Sequence, residues 1–464
     1  MRKVGGESRR AWRRMRPALA LIAVLALAIS ACADNGDVPE TADDVDVPED
    51  DAEPAPEADT DAAEPSGELR WAIRDYFEAE ARALIEAFED EHPDVSIELE
   101  LLPTDEGYVQ RLLTARLGDD LPDMIAHGDV FTEQFADAEI TTDLTPHLEA
   151  SDVLSVDFFS PAFMDVYEVK TGAYAGEIHA LPQGADAIVL YYNKDHFDEA
   201  GLDYPDDTWS YEDLVAAAEQ LTTDDRWGFA ETPSWHARYN PTLQALGAMP
   251  VSEDGTVADI GSPEALEGWR LMIEPMIDGP FFPQEELDQT PSTTAFTQQR
   301  VSMYPGVRAQ MPQIVNEADF AWDVAPNPTV NGTRLSGAGS VAVAMTQAAE
   351  DPELVFSFFE WFYDEEGGMP ILTASGGVVP PVPDLYDSDV WRNLPVSPDN
   401  EDPFVEAVQT GVGSPLLAAG SRGEWDENIQ QAIESVTLAG VSIEEAFTAA
   451  QERAQQILDE SQLE

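Results

Sequence analysis

The stretch ALPQGADAIVLYYNKDHFDEAGLDYPDDTWSYEDLVAAAEQL, Ala180–Leu221, holds a strand, a loop and a capped helix in one short span. Residues 187–192 form an uninterrupted apolar run, rich in β-branched and aromatic residues, of the length expected for a buried strand. Gly201, Pro205 and the paired aspartates after it mark a loop. Ser210-Tyr-Glu-Asp213 is then a capping box, and Leu214, Ala217, Ala218 and Leu221 follow on one helical face. A buried strand feeding a helix in this way is the building unit of an α/β fold.

The same alternation holds on either side. Leu69, Trp71 and Ile73 alternate with polar residues as a strand, and Phe77, Ala81, Leu84, Ile85 and Phe88 take helical spacing up to Pro93. Val95, Ile97, Leu99 and Leu101 give the next strand, so the folded part opens with a β-α-β unit and a parallel pair. Further strands are predicted at 123–126 and 227–230. Ser262-Pro263, Asp351-Pro352 and Ser442-Ile-Glu-Glu445 each start a helix.

Ahead of this lies a different kind of sequence. Arg2, Lys3, Arg9, Arg10, Arg13, Arg14 and Arg16 form a basic leader, and the apolar run 18–29 is too short to span a bilayer but suits a secretory signal. Ile29-Ser30-Ala31-Cys32 looks like a bacterial lipobox, in which the only cysteine of the chain takes a fatty-acyl (palmitate) anchor after cleavage. The other reading is an ordinary signal peptide with an incidental cysteine. Residues 33–67 then carry 14 acids, no base and no aromatic residue, which predicts a disordered, self-repelling tether. The expected boundaries are a signal at 1–31, a tether at 32–67 and a folded part from 68 onward.

Seven of the 23 bases and one of the 92 acids precede Cys32, so the exported chain keeps 16 bases against 91 acids, a net charge of −75. Such a chain repels phosphate backbones, and nucleic acid is excluded as a partner. The acids are spread through every segment, which predicts an adaptation to high salt rather than one cation site. His92, His127, His147, His179, His196 and His236 show no metal-ligand spacing, and there is no G-x-S-x-G elbow or Walker loop. Gly337-Ala-Gly-Ser-Val-Ala342 mimics a dinucleotide fingerprint, but the VAVAM that follows reads as a strand where a helix should begin. No cofactor and no metal are expected. With so many acids, carboxylate pairs are inevitable, so an exported glycoside hydrolase stays open as an alternative.

Taken together, the Leu-Pro turn, the strand ending in Tyr-Asn-Lys-Asp, the F-x-x-A-G-L step and the tryptophan before a capped helix resemble the extracellular solute-binding proteins of ABC importers. They are closest in pattern to the carbohydrate-binding family that includes maltose-binding protein. Leu121-Pro-Asp-Met-Ile125, Val301–Gly306, Asp323-Val-Ala-Pro-Asn-Pro328 and Leu335-Ser-Gly-Ala-Gly339 ahead of VAVAMTQ fall in the same order. The resemblance implies a two-lobed, type II periplasmic-binding-protein-like fold with a hinge, split as 68–184 with 305–338 and 186–303 with 340–464. It implies a protein without enzymatic activity, a monomer, that captures a mono- or oligosaccharide between lobes for membrane permease subunits. The lipid on Cys32 would hold it at the outer face of the cytoplasmic membrane. A glycerol phosphoester, a polyol or a polyamine is the alternative cargo.

Sugar sites need aromatic faces and polar side chains at loop ends. Asp129 matches the family position where a carboxylate accepts hydroxyls, or else is a capping aspartate. Asp186 lies directly ahead of IVLYY at the expected hinge, where an acid needs a partner. Trp235, with Tyr239 as companion, sits in the breaker-rich ETPSWHARYNP. Arg308 stands where the family presents an aromatic, and serves an anionic ligand group or an interlobe salt bridge. Trp425 corresponds to a further stacking ring, and Tyr76, Gly376 and Gly377 complete the candidates.

Overall fold

The computed structural model describes residues 65–461 apart from 104–106, 393, 395–397, 416 and 418–420. The expected signal, Cys32 and almost all of the tether lie outside the described residues, as does the Tyr76 side chain. The described residues form one compact unit.

The strands are β1 (Gly67–Arg74), β2 (Val95–Leu102), β3 (Met124–Gly128), β4 (Leu181–Pro182), β5 (Asp186–Ala187) and β6 (Val189–Asn193). They continue with β7 (Trp227–Phe229), β8 (Val301–Gly306), β9 (Trp322–Ala325), β10 (Ser336–Gly339), β11 (Val341–Met345) and β12 (Gly411–Val412). One sheet runs β2-β1-β3-β11-β4, a second β7-β8-β6-β9, and a short third, β12-β10-β5, holds strands from the connections between them.

β1 pairs with β2 in parallel from Gly67↔Val95 to Arg74↔Leu102, and helix Glu78–Glu91 makes the crossover. That helix buries Ala81, Leu84, Ile85 and Phe88. Phe88 meets Phe358 edge-on at 5.1 Å, and Phe358 meets Trp71 at 5.5 Å, so helix Pro352–Phe362 belongs to the same core. A second core joins helices Pro263–Asp278, Arg422–Thr437 and Ile443–Ser461, with Trp269 stacked on Phe447 at 4.2 Å. Local signals hold where their hydrogen bonds are local. Ser210 Oγ accepts the Asp213 amide at 3.2 Å while Asp213 Oδ2 accepts the Ser210 amide at 2.9 Å. Ser262, Asp351 and Ser442 likewise accept the amides of Ala265, Leu354 and Glu445.

The expected split of the later segments is corrected. β8 does not leave for the first sheet; the chain turns through 308–317 and returns as β9, which pairs antiparallel with β6 from Leu190↔Ala325 to Asn193↔Trp322. Residues 305–325 therefore belong with the second sheet, and β10 with the third. β11 instead enters the first sheet, antiparallel to β3 and β4. The first body is built on β1–β4, β11 and helix Pro352–Phe362, and the chain recrosses between Thr373 and Asp402. The reason is physical. An apolar strand carries no label for the sheet it joins, since pairing is set by tertiary packing.

Gly337 marks why a glycine-rich run precedes β11. A Cβ there would lie 1.8 Å from the Ala237 carbonyl oxygen, so β10 packs directly on the backbone of helix His236–Ala245. The fingerprint-like GAGS is a close strand-to-helix approach.

Candidate functional site

The carboxyl ends of β1 and β3 lie side by side in the first sheet, the place where open α/β sheets offer loops to a ligand. Asp129 follows β3 directly and opens the turn Asp129–Phe131. Its amide donates to the Ser340 carbonyl at 3.1 Å, which ties it to the β10–β11 crossing. Oδ1 accepts the Val130 amide at 2.9 Å, while Oδ2 is buried with no hydrogen-bond partner. Burial pushes this carboxyl up to about 6, opposed by the Val130 amide and by the charges of Arg422 and Arg74.

Arg74 ends β1. Its guanidinium lies over the rings of Tyr108 at 5.0 Å and Phe131 at 5.5 Å, and its Nε is buried without a partner. Arg422 comes from the other body, at the first position of helix Arg422–Thr437. Its Nε donates to Asp426 Oδ2 at 2.9 Å and its Nη2 to His236 Nδ1 at 2.6 Å. Burial and the Arg422 charge hold His236 down at about 3, so the ring is neutral and accepts. Asp426 Oδ1 is buried and unpartnered. Trp235, half-buried, precedes His236 at the N-cap of its helix. Buried groups of Asp129, Arg74 and Asp426, from both bodies, are thus left without partners, and the charges of Arg74 and Arg422 act on Asp129; unsatisfied acceptors and donors are what a polar ligand needs.

Other predicted residues are elsewhere. Asp186 lies in β5, paired with Gly339 of β10, and its Oδ1 accepts the Arg308 amide at 3.0 Å. It caps the turn Arg308–Gln310, and burial pushes its carboxyl up to about 7 against the pull of the Arg308 and Ala309 amides. The Arg308 side chain is 0% exposed. Its Nη2 donates to Glu401 at 3.0 Å, and its guanidinium lies 4.7 Å from the Trp391 ring and 4.9 Å from Phe404. Arg308 is thereby an internal ion pair that holds Glu401 between contacts to Trp391 and Phe404, and its expected ligand role is corrected. Trp425 and Tyr239 are corrected as well. Both are 0% exposed, and the Trp425 Nε1 donates to the Tyr239 hydroxyl at 3.0 Å inside the second core.

Gly376 takes φ +77 and Gly377 passes the second body, where a Cβ would come 3.8 Å from the Ala309 Cα. These glycines lie at the start of the segment in which the chain recrosses. Tyr76 lies two residues past Arg74, in Asp75–Phe77. The reading of the sequence missed Arg74, Arg422 and His236. Their signals were present: Arg74 is a charge closing an alternating strand, and His236 and Arg422 flank the tryptophans chosen instead. A cavity of about 20 Å³ among Tyr211, Arg238 and Asn327, and an outer groove of about 470 Å³ between helices Tyr211–Leu221 and Pro263–Asp278, lie apart from the Asp129 cluster.

Relatives from Brucella abortus and Brucella suis are 26% identical over 223 residues, 46% of this chain and 51% of theirs, so the chain spans about half the length of the curated relatives it matches. The arabinooligosaccharide-binding protein of Halalkalibacterium halodurans is 24% identical over 328 residues, 66% of this chain and 69% of that one. Among solved structures, the ABC substrate-binding protein of Listeria monocytogenes in complex with cycloalternan superposes with a TM-score of 0.74 at 20% identity. It covers 85% of this chain and 99% of that one. The fold is the two-lobed α/β fold of such binding proteins. The model of the bacterial extracellular solute-binding proteins matches residues 74–369, and the chain belongs to that family.

Proposed function

We propose that this protein is the solute-capture component of an ABC importer, a monomer that closes two lobes on a mono- or oligosaccharide and presents it to the permease subunits. It performs no chemistry on its ligand. The single observation that carries the reading is Asp129 Oδ2, a buried acceptor without a donor at the end of β3. A sugar hydroxyl satisfies such an oxygen, and its ring satisfies a half-buried tryptophan such as Trp235. The relatives named for an arabinooligosaccharide and for cycloalternan support an oligosaccharide as cargo. The phosphoester alternative rested on Arg308, whose side chain has its own carboxylate in Glu401. The lipobox supports anchoring through Cys32 to the outer face of the cytoplasmic membrane, with 33–67 as tether. A chain held there meets its permease at high effective concentration.

The test is a calorimetric and thermal-shift screen with neutral mono- and oligosaccharides, polyols and polyamines. A saturable sugar signal with no product after prolonged incubation is expected. Absence of any sugar response ends the proposal, and release of product would favour the hydrolase.

A further inference from the structure

Arg74 is an anomaly in a chain with 16 bases for 91 acids after Cys32. Carboxylates are everywhere, and the other buried or half-buried arginines around the interior have taken one: Arg238 has Glu231, Arg308 has Glu401 and Arg422 has Asp426. Among the described residues, Arg74 has no ion pair and no hydrogen bond, and its Nε is buried. The side chain is nevertheless fixed. Tyr108, whose hydroxyl donates to the Ala126 carbonyl, and Phe131 hold the guanidinium across their faces at 5.0 and 5.5 Å. A planar fork of donors so held, and left without an acceptor, is shaped for a bidentate anion.

Its neighbours decide what kind of anion. The guanidinium covers the ring of Phe131, which closes the turn that Asp129 opens, so the buried acceptor Asp129 Oδ2 belongs to the same cluster and takes a hydroxyl from the ligand. Arg422, from the second body, offsets the negative charge that a ligand anion would add beside Asp129. His236 is neutral and adds no charge.

We infer that the ligand is an anionic polyol, a saccharide bearing a carboxylate or phosphate, whose anionic group is clamped by Arg74 while a hydroxyl donates to Asp129. This rests on the reading of the Asp129 cluster as the sugar site and names the substrate class of that site.

The experiment compares matched pairs by calorimetry on the exported chain: galacturonate against galactose, glucuronate against glucose, and glucose 6-phosphate against glucose, with their oligosaccharides. An acidic member is expected to bind about tenfold or more tightly than its neutral partner. A gain confined to carboxylates or to the phosphate identifies the source of the anion. Arg74→Gln should abolish the gain, and Arg74→Lys should retain part of it. Equal or tighter binding of the neutral partners overturns the inference while leaving the sugar reading intact. So does equal weakening of both members of a pair by Arg74→Gln. If Arg74→Gln does not fold, the matched pairs on the parent chain decide. Failure of every sugar, acidic or neutral, overturns both.

Discussion

Asp129 sets stability against binding. Burial pushes its carboxyl up to about 6, so the folded chain holds this proton where the unfolded chain has already released it. As pH falls from about 6 to about 4 the folded state gains relative to the unfolded one, and above that window the ionised carboxylate is a cost of folding. Asp129→Asn removes the cost. Without ligand, the variant should be more stable than the parent at neutral pH by about 1–3 kcal/mol, with the difference gone by about pH 4. The same variant should bind sugar about tenfold more weakly, because an amide replaces a charged acceptor. Denaturant melts at the two pH values and a titration check both halves; lower stability at neutral pH would mean that Arg74 and Arg422 hold the carboxylate as a structural ion pair. The two tryptophans separate in the opposite way. Trp425→Ala opens a fully buried core position and should cost about 3–5 kcal/mol, with binding preserved in whatever folds. Trp235→Ala, at a half-buried N-cap, should weaken binding while changing stability by no more than about 1 kcal/mol.

At the level of elements, β10 and helix His236–Ala245 join the hinge strands to the second body through a contact that tolerates no side chain. Gly337→Ala would drive a methyl group into the Ala237 backbone at 1.8 Å. A loss of about 3 kcal/mol or more is expected, against about 1 kcal/mol for Gly332→Ala, whose φ of +73 is strained but whose surroundings are open. Equal melting temperatures for the two variants would show that β10 can shift without cost. The same contact shows what the sequence could and could not tell. Capping residues, the β-α-β opening and the 187–192 strand were legible because their determinants lie within a few residues of each other. The placement of β9 and β11 was not, because pairing of Leu190 with Ala325, or of Gly128 with Val341, is decided across more than a hundred residues. The site divided along the same line. Asp129 was legible as an acid after a strand and turn. Arg308 and Trp425 were misassigned because residue type alone does not say whether an arginine meets a ligand or Glu401, or whether an indole meets a sugar or Tyr239.

For the molecule as a whole, net charge is the dominant fact. With −75 after Cys32, pairing cannot balance the surface: most of the 16 bases are spent on partners such as Glu100, Asp165 and Asp399, and most carboxylates face only water and one another. Exposed pairs of this kind contribute about 0–1 kcal/mol each, so they do not offset the summed repulsion of the remaining acids. Counter-ions do. The Debye length falls from about 10 Å at 0.1 M salt to about 3 Å at 1 M, shorter than the spacing between most surface charges. The internal pairs Glu231–Arg238 and Glu401–Arg308 are screened much less and should hold their geometry throughout. Salt should therefore act on the repulsion and leave the cores alone. The melting temperature is expected to rise by several degrees between about 0.05 and 2 M sodium chloride, with most of the gain below about 1 M, where the Debye length changes fastest. Potassium chloride should act alike, since screening does not depend on which monovalent cation supplies it. A response that differs strongly between the two salts would point to specific cation binding by carboxylates. A melting temperature already maximal in dilute buffer would mean that the acids are spaced widely enough to need no screening at all.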